Sequence, residues 1–307
     1  MDDLDATTFT AAEAVVARLL AGVDSSSSLE RMRLLMAKAQ MLRAMLGTHR
    51  SIRRLIKPGE DLELAVDALP LTRVQLERCF LALLIEDQPN RWFKRYRKNA
   101  WKAFAEKFFR DRCAVGHIEG FSSYFAPDGE GIRILRDFAR EMDVWEDELQ
   151  TLRIGTTGDD PDPRFPPRYI ADMPTPGRAV GILNDALHKR LAELLYPFYA
   201  TLSHFSHGGL VGVMQSAVLR SELPDDVQTD RQQFYRANIL ETTAPASYVA
   251  ILFVATLQAG DLTDSPAVRQ LLLEAWKPYH SDGSLLGIAV WDNWAREIIE
   301  GPDQPAD

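Results

Sequence analysis

Three polar side chains recur at every fourth residue of an otherwise apolar stretch: Tyr199, Ser203 and His207. Side chains four residues apart are neighbours on one face of a helix, so a helix here aligns a phenol, a hydroxyl and an imidazole. A hydroxyl or imidazole buried without a partner costs about 1–3 kcal/mol, and other polar groups are therefore expected to face this column. Two roles are open to the column. One is acid/base or ligand-binding chemistry by His207, and the other is a hydrogen-bond network that only fixes helix packing.

A charged pair on a second apolar segment is the expected partner of this column. Arg73 and Glu77 lie four residues apart within LTRVQLERCFLALLIED, where most other residues are apolar. A glutamate in such a helix pairs with an arginine or acquires a shifted pKa, and both occur in structural ion pairs and in functional sites. We predict that the pair faces the column. The candidate catalytic residues are then His207, Ser203, Tyr199, Glu77 and Arg73.

Two more specific chemistries are not supported by the spacing of these residues. His204 and His207 share a helix face, but no third metal ligand stands at a recognised spacing and no cysteine is near. Ser203 would need an exposed turn and free backbone amides to act as a nucleophile, and a serine inside a helix has neither. The sequence therefore predicts no metal and no other cofactor.

The one strongly basic stretch of this acidic chain spans residues 91–112. Its cations are interleaved with aromatic residues, as in proteins that bind single-stranded nucleic acid through phosphate contacts and base stacking. Trp101, Phe104 and Phe108 fall at helical core spacing, so buried aromatics beneath a solvated cationic face are the alternative. The partner expected at this helix is RNA or an acidic protein. The candidate nucleic-acid-binding residues are Arg91, Lys94, Arg95, Arg97, Lys98 and Lys102.

The segments 73–77 and 199–208 together resemble a family of bacterial all-helical proteins that is catalogued as a domain of unknown function. The resemblance covers about residues 40–220 and implies a helical fold. A histidine near the end of a bundle helix, followed by glycine, is also similar to the HEPN superfamily of toxin and defence ribonucleases. That resemblance implies a metal-independent ribonuclease with His207 as acid or base. The arginine that precedes this histidine in HEPN nucleases is replaced here by Ala200, Thr201 and Leu202.

Composition and charge are those of an ordinary globular protein. The 307 residues are 46% hydrophobic and carry a formal net charge of −9, which argues against a protein that coats nucleic acid with its whole surface. The acidic N-terminus MDDLDATTFT lacks the order of a signal peptide. The longest apolar run, residues 247–257, is half of the ~20 residues that a spanning helix needs. We therefore expect a cytoplasmic protein that makes no membrane contact.

The two cysteines indicate a reducing compartment. Cys79 and Cys113 each sit among apolar residues, and two cysteines in a chain of this length are no disulfide framework. We predict that both are reduced and buried.

Helix signals run through the whole chain, and neither strand-like alternation nor a repeat of fixed period is found. Capping boxes at residues 10–13 and 27–30 predict the starts of two N-terminal helices. Pro176 and Pro197 predict the starts of two more, the second of which carries the polar column. Further helices are predicted at residues 71–87 and 91–113, as a hairpin, and at 132–152, 230–258, 265–279 and 285–299. The predicted class is an all-α helical bundle without significant sheet.

The predicted organisation is one main bundle with an N-terminal appendage. Residues 1–57 are expected to pack as helices on a main bundle formed by residues 58–300. A proline-rich loop at residues 155–176 interrupts the bundle, and residues 301–307 are expected to be a disordered tail.

Because no complete catalytic set is visible, the leading functional prediction is a regulatory or interaction module of bacterial origin, linked to stress or phage defence. The alternatives are a HEPN-like metal-independent ribonuclease and a small-ligand sensor with a polar site in the bundle core. The sequence leaves open whether the chain is an enzyme and whether it forms a homo-oligomer.

Overall fold

The computed structural model describes residues 2–56, 66–126, 128–144, 170–206, 243–260, 264–279 and 285–300, with the backbone alone at residues 2–5 and 204–206. Every regular element within these residues is helical, and no strand occurs among them. The predicted all-α class is therefore confirmed for the part of the chain that the structure describes.

The described residues form twelve α-helices. Their bounds are α1 Asp2–Asp24, α2 Leu29–Leu55, α3 Ala68–Asp87, α4 Pro89–Val115, α5 Ser122–Phe125, α6 Glu130–Glu141, α7 Pro176–Ile182, α8 Ala186–Ser206, α9 Thr243–Ala259, α10 Pro266–Trp276, α11 Leu285–Val290 and α12 Arg296–Glu300. A 3-10 turn, Lys277–Tyr279, follows α10. A π-helical turn, Trp291–Ala295, joins α11 to α12.

The chain divides into two compact units whose boundaries differ from the predicted organisation. The first unit combines Met1–Asp87 with Pro176–Asp307, and the second is Gln88–Thr175. In the first unit α1 packs against α2 and α10, α2 packs against α3, and α3 packs against α8. The N-terminal helices α1 and α2 lie within the first unit, where they pack on α10 and α3. The predicted hairpin partners, α3 and α4, belong to different units.

The centre of the first unit is α9, which contains the longest apolar run of the sequence. Residues 249–255 of this helix are fully buried, as the run predicts. Contacts to α9 come from several neighbours: the Cys79 thiol of α3 approaches the Ala250 carbonyl at 3.7 Å, and the ring of Phe253 lies 4.9 Å from that of Trp294. A helix without a polar face must be enclosed on all sides, and these contacts enclose it.

The second unit is organised around the aromatic face of α4. Trp101 is fully buried, and its indole N–H donates to the Leu135 carbonyl of α6 at 3.0 Å. Phe108 and Phe125 pack beside it with ring centroids 5.1 Å apart. The helical core spacing of Trp101 and Phe108 therefore identified residues that are buried, and Phe104 is partly buried against the same cluster.

Several predicted helix ends need correction. The cap of α2 is Ser28, whose hydroxyl accepts the Arg31 N–H at 3.4 Å, one residue after the predicted Ser27. Thr10 lies inside α1, because the chain is already helical from Asp2. Pro197 lies inside α8 rather than at its start. The actual start is set by Asp185, whose carboxylate accepts the His188 N–H at 2.9 Å and replaces the missing helical acceptor.

One of the two cysteines was placed wrongly. Both thiols are free, and Cys79 is buried as predicted, but Cys113 is exposed on the last turn of α4. Phe108 faces the aromatic cluster of the second unit and lies about 140° around the helix from Cys113. The segments at residues 145–169, 230–242 and 301–307 lie outside the described residues. These ranges contain the predicted tail and most of the predicted proline-rich loop. They also contain parts of the helices predicted at 132–152 and 230–258.

Among the described helices, α1 is long and apolar enough to cross a bilayer by length and composition, over Ala6–Asp24 with a mean hydropathy of 1.3. This window is longer than the apolar run at 247–257. The apolar side of α1 is nevertheless used inside the protein, since Ala11, Ala12 and Val15 are fully buried and the helix packs on α2 and α10. Of the apolar window, 33% is buried inside the protein.

Two glycines give a test of the packing. A Cβ added at Gly287 would overlap the buried ring of Tyr279, whereas one added at Gly47 in the middle of α2 would meet nothing within 4 Å. We expect Gly287→Ala to lower the free energy of unfolding by about 1–3 kcal/mol through overpacking. Gly47→Ala should raise it by about 0.4–1 kcal/mol, because alanine restricts the unfolded chain. Urea unfolding followed by tryptophan fluorescence measures both, and equal effects would contradict the described packing.

Candidate functional site

The predicted charged pair lies at the edge of the buried face of α3. Leu76, Cys79 and Phe80 direct this helix into the core, which leaves Arg73 and Glu77 at the border between core and solvent. The Arg73 guanidinium donates to the Glu77 carboxylate at 2.8 Å, and the two side chains are 18% and 37% exposed. The pair is therefore partly desolvated, with the carboxylate side the more open to water.

Tyr199 of α8 completes this pair from a distant part of the chain. Its hydroxyl lies 3.3 Å from the Glu77 carboxylate, to which it donates, and 3.4 Å from the Arg73 guanidinium, from which it accepts. The Arg73 guanidinium carbon lies 5.5 Å from the centre of the Tyr199 ring, within cation–π range. The other edge of the ring packs against Phe80 with centroids 5.8 Å apart. We call Arg73, Glu77 and Tyr199 the polar junction.

The polar junction is a closed set of contacts between α3 and α8. The phenol uses its one donor on the carboxylate and an acceptor site on the guanidinium, and the carboxylate balances the cation. The Arg73 Nε atom is buried and makes no hydrogen bond. What the described geometry supports is mutual neutralisation and helix-to-helix anchoring.

The rest of the predicted column is less fully described. Ser203 lies one turn after Tyr199 on α8 and is half-buried. His207 lies outside the described residues, and so does the side chain of His204. The structure thus brings Arg73, Glu77 and Tyr199 together, whereas the place of the imidazole in the predicted centre stays a prediction.

A second polar cluster, which the sequence analysis missed, is buried beneath the first unit's surface. The His49 Nδ1 atom lies 2.8 Å from the Ser247 hydroxyl, and the Gln75 side-chain amide donates to the same hydroxyl at 3.2 Å and to the Met45 carbonyl at 2.8 Å. His49, Gln75 and Ser247 are all fully buried. We call these three residues the buried network, and it joins α2, α3 and α9.

The buried network is bordered by the partly buried Arg78 and by the aromatic rings of Tyr248 and Phe9, the second of which lies 5.9 Å from the His49 ring. Arg78 donates to the Gln75 side-chain carbonyl at 3.0 Å and to the Thr48 hydroxyl at 2.8 Å. On the other side the His49 ring lies 4.3 Å from the ring of Tyr248. Burial raises the pKa of the neighbouring Cys79 thiol, an effect that the nearby Arg78 opposes, so this thiol stays protonated and packs as an apolar group.

A third missed cluster fixes the beginning of α8. The Asp87 carboxylate at the end of α3 is 1% exposed and accepts the backbone N–H groups of Asn184 and Asp185 at 3.1 and 2.7 Å. The His188 Nδ1 atom faces the same carboxylate at 3.6 Å, too far for a hydrogen bond. Because Tyr199 lies three turns further along α8, Asp87 and the polar junction hold one helix at two points.

The predicted nucleic-acid-binding cations lie on α4 in the second unit, where several have internal partners. Arg97 is only 7% exposed and donates to the Asp143 carboxylate and to the Glu141 carbonyl, so it is a core cation rather than a surface one. Arg95 and Lys102 contact residues 170–172 of the same unit. Arg91 and Lys94 are exposed and Lys98 is partly exposed.

The aromatic half of the nucleic-acid pattern is turned inward. Trp92, Phe93, Trp101 and Phe108 are all buried, while Tyr96 is the aromatic of this group that reaches the surface. Base stacking requires exposed ring faces, so these four rings serve the core of the second unit instead. Among the described residues no group of three His, Cys, Asp or Glu side chains is arranged to hold a metal ion.

A serine substitution tests the buried network. Ser247→Ala removes the hydroxyl shared by His49 and Gln75 and leaves the buried His49 Nδ1 atom without that partner. We expect the free energy of unfolding to fall by about 1–3 kcal/mol. The matched control is Ser51→Ala on the exposed side of α2, which should change it by about 0.5 kcal/mol or less. A Ser247→Ala protein as stable as the control in urea unfolding would show that the network contributes nothing.

Comparison with known proteins gives no function for these three clusters. No family model, no curated protein and no solved structure matches the chain. The function is therefore argued from the contacts of the chain's own residues.

Proposed function

We propose that the chain is a non-catalytic helical module with a regulatory or interaction role. The observation that carries this proposal is the closure of the polar junction, in which Arg73, Glu77 and Tyr199 take one another as partners. A catalytic acid or base must reach a substrate proton at hydrogen-bond distance, and the phenol of Tyr199 already spends its only donor on Glu77.

The position of the polar junction supports the same conclusion. Its members lie on α3 and α8, two helices that pack along one another, and the Tyr199 ring is held between Phe80 and the Arg73 guanidinium. Such an arrangement aligns the two helices, because the Tyr199 hydroxyl reaches both Glu77 and Arg73 at this position of α8 along α3. A module that presents surfaces to partners needs this kind of fixed helix alignment.

Participation in bacterial stress or phage defence belongs to the same proposal, and its support is the similarity of His207 and the glycine after it to the HEPN superfamily of toxin and defence proteins. A ribonuclease of HEPN-like kind would depend on His207. No contact among the described residues favours RNA cleavage. A cleavage assay distinguishes this activity from the proposed role.

Cleavage of RNA separates the two functions directly. We expect no metal-independent cleavage of a labelled single-stranded RNA by the purified chain, measured on denaturing gels in the presence of a chelator. His207→Ala should give the same result as the unchanged protein. Cleavage that disappears in His207→Ala, while the melting temperature of that variant is unchanged, would contradict the proposed non-catalytic role.

A double-mutant cycle tests the structural role of the polar junction. Tyr199→Phe and Glu77→Ala each remove one side of the phenol–carboxylate contact while the Tyr199→Phe ring still packs on Phe80. We expect a coupling free energy of about 0.5–1.5 kcal/mol from urea unfolding of the four proteins. The control cycle uses Lys107 and Asp111, whose exposed ion pair should couple by about 0.5 kcal/mol or less. Equal coupling in both cycles would mean that the junction does not anchor α8.

A further inference from the structure

Three side chains of α4 hold an extended piece of the same unit by its backbone. Arg95, Asn99 and Lys102 are spaced by four and three residues and therefore lie on one face of the helix. The piece they hold, residues 170–173, has no regular secondary structure. We call residues 170–173 the strap.

Side chains of α4 donate hydrogen bonds to successive backbone carbonyls of the strap. The Lys102 ammonium donates to the Ile170 carbonyl at 3.3 Å, and the Arg95 guanidinium donates to the Ala171 carbonyl at 3.1 Å. The Arg95 guanidinium also donates to the carbonyl of the next residue, Asp172.

The Asn99 side chain donates one hydrogen bond to the strap backbone and accepts another from it. Its side-chain amide donates to the Ala171 carbonyl at 2.7 Å, and its side-chain carbonyl accepts the Met173 N–H at 3.2 Å. This two-way pairing is the pattern by which one strand recognises another, here supplied by a side chain of a helix. An amide at this position suits a peptide backbone, because it satisfies a donor and an acceptor at once.

One side-chain charge accompanies the backbone contacts. The Asp172 carboxylate pairs with the Lys102 ammonium at 2.6 Å, although the Asp172 side chain is 79% exposed. An ion pair with one partner so open to water is weak and exchangeable. The strap is thus a short segment with one carboxylate, and a second peptide could make the backbone and charge contacts that hold it.

The charge of α4 extends this face beyond the strap. Nine of the residues in Pro89–Val115 are Lys or Arg and two are Asp or Glu, in a chain whose formal net charge is −9. Arg91, Lys94 and Lys98 continue the row of Arg95 and Lys102 toward the start of the helix, at helical spacings of three and four. We call Arg91, Lys94, Arg95, Lys98, Asn99 and Lys102 the cationic face. It is complementary to a segment that carries several carboxylates.

A peptide fits this face better than a nucleic acid does. The strap contacts select a backbone that alternates carbonyl and N–H groups, which RNA does not have. Trp92, Phe93 and Trp101 are buried, so unpaired bases cannot stack on their ring faces, and Tyr96 is left as the exposed ring near this face.

We infer that the cationic face of α4 binds an extended acidic segment of a partner protein, and that the strap is a built-in competitor for this site. The inference rests on the proposed interaction role and names its surface, its class of partner and its regulation. The strap occupies Arg95, Asn99 and Lys102 in the free protein, and a partner with more carboxylates than the one at Asp172 displaces it.

Fluorescence anisotropy of a labelled peptide with the full-length chain tests the inference. The probe is a fluorescein-labelled decapeptide of alternating Glu and Gly, which is acidic and has little tendency to form a helix. Asp172→Asn removes the competing carboxylate and keeps the backbone contacts. We expect it to tighten peptide binding about two- to fivefold, the worth of one exposed ion pair.

Charge reversal locates the binding site on the helix. Lys94→Glu combined with Lys98→Glu should weaken peptide binding at least about tenfold, because two attractions become repulsions. The matched control is Lys107→Glu combined with Arg110→Glu, which makes the same charge change on α4 more than one turn beyond Lys102 and about 120° or more around the helix from Lys94 and Lys98. The binding is measured at 0.15 M salt, which screens the general effect of net charge. Under this condition the control variant should bind the peptide with an affinity within about twofold of that of the unchanged chain. Circular dichroism confirms that all three variants remain helical.

Each other outcome overturns the inference. Absence of peptide binding in the unchanged chain and in Asp172→Asn excludes the site, and equal affinities of these two exclude the strap as competitor. Equal losses in the two double variants show unspecific attraction, and tighter binding of a single-stranded uridine decamer than of the peptide assigns the face to RNA. None of these results bears on the RNA cleavage assay. The non-catalytic role is therefore tested independently of the peptide-binding site.

Discussion

The first unit depends on the burial of α9, a helix that has no polar side to offer to water. Its residues 249–255 are fully enclosed, which requires neighbours on every side. The few polar groups of α9 must then find partners in those neighbours, because an unpaired hydroxyl in this position costs about 1–3 kcal/mol. Ser247 finds them in α2 and α3, and the Thr256 hydroxyl accepts the Trp276 indole N–H of α10 at 3.0 Å.

This constraint also places the polar junction. Gln75 and Cys79 turn one side of α3 toward α9, and helical geometry then directs Arg73 and Glu77 to another side, where α8 packs. Asp87 lies at the end of α3, ten residues after Glu77. Its carboxylate accepts hydrogen bonds from the backbone N–H groups that precede α8 and so fixes where that helix begins. The alignment of Tyr199 with Glu77 follows from two anchors on α3 rather than from the three contacting side chains alone.

The parts of this structure that sequence could predict are those governed by local pattern. The apolar run identified α9, and the proline at residue 176 identified the start of α7, since a first-turn proline costs a helix nothing. The same rule failed at Pro197, because packing of α8 along α3 outweighs the loss of one helical hydrogen bond. The pairing of Arg73 with Glu77 followed from their spacing, and the meeting with Tyr199 was inferred from the need of buried polar groups for partners.

What could not be predicted depends on residues that are far apart in the sequence and individually unremarkable. His49 and Ser247 are separated by 198 positions, and a lone histidine or serine in an apolar helix carries no sign of its partner. The cations of α4 were recognised as a group, but their division between core and surface is set by carbonyls of residues 141 and 170–172, which no spacing rule connects to them. Exposure of Cys113 likewise depends on which side of α4 faces the aromatic cluster.

That exposure has a practical consequence for work on the unmodified chain. The sequence contains two cysteines, and the one at position 79 is sealed in the interior with its thiol kept protonated by burial. A maleimide dye therefore reacts with the native protein at position 113 without any engineered mutation. The attachment point lies on the same helix as Lys102, about 16 Å further along its axis, so fluorescence from this position reports on the environment of α4 while the core remains untouched.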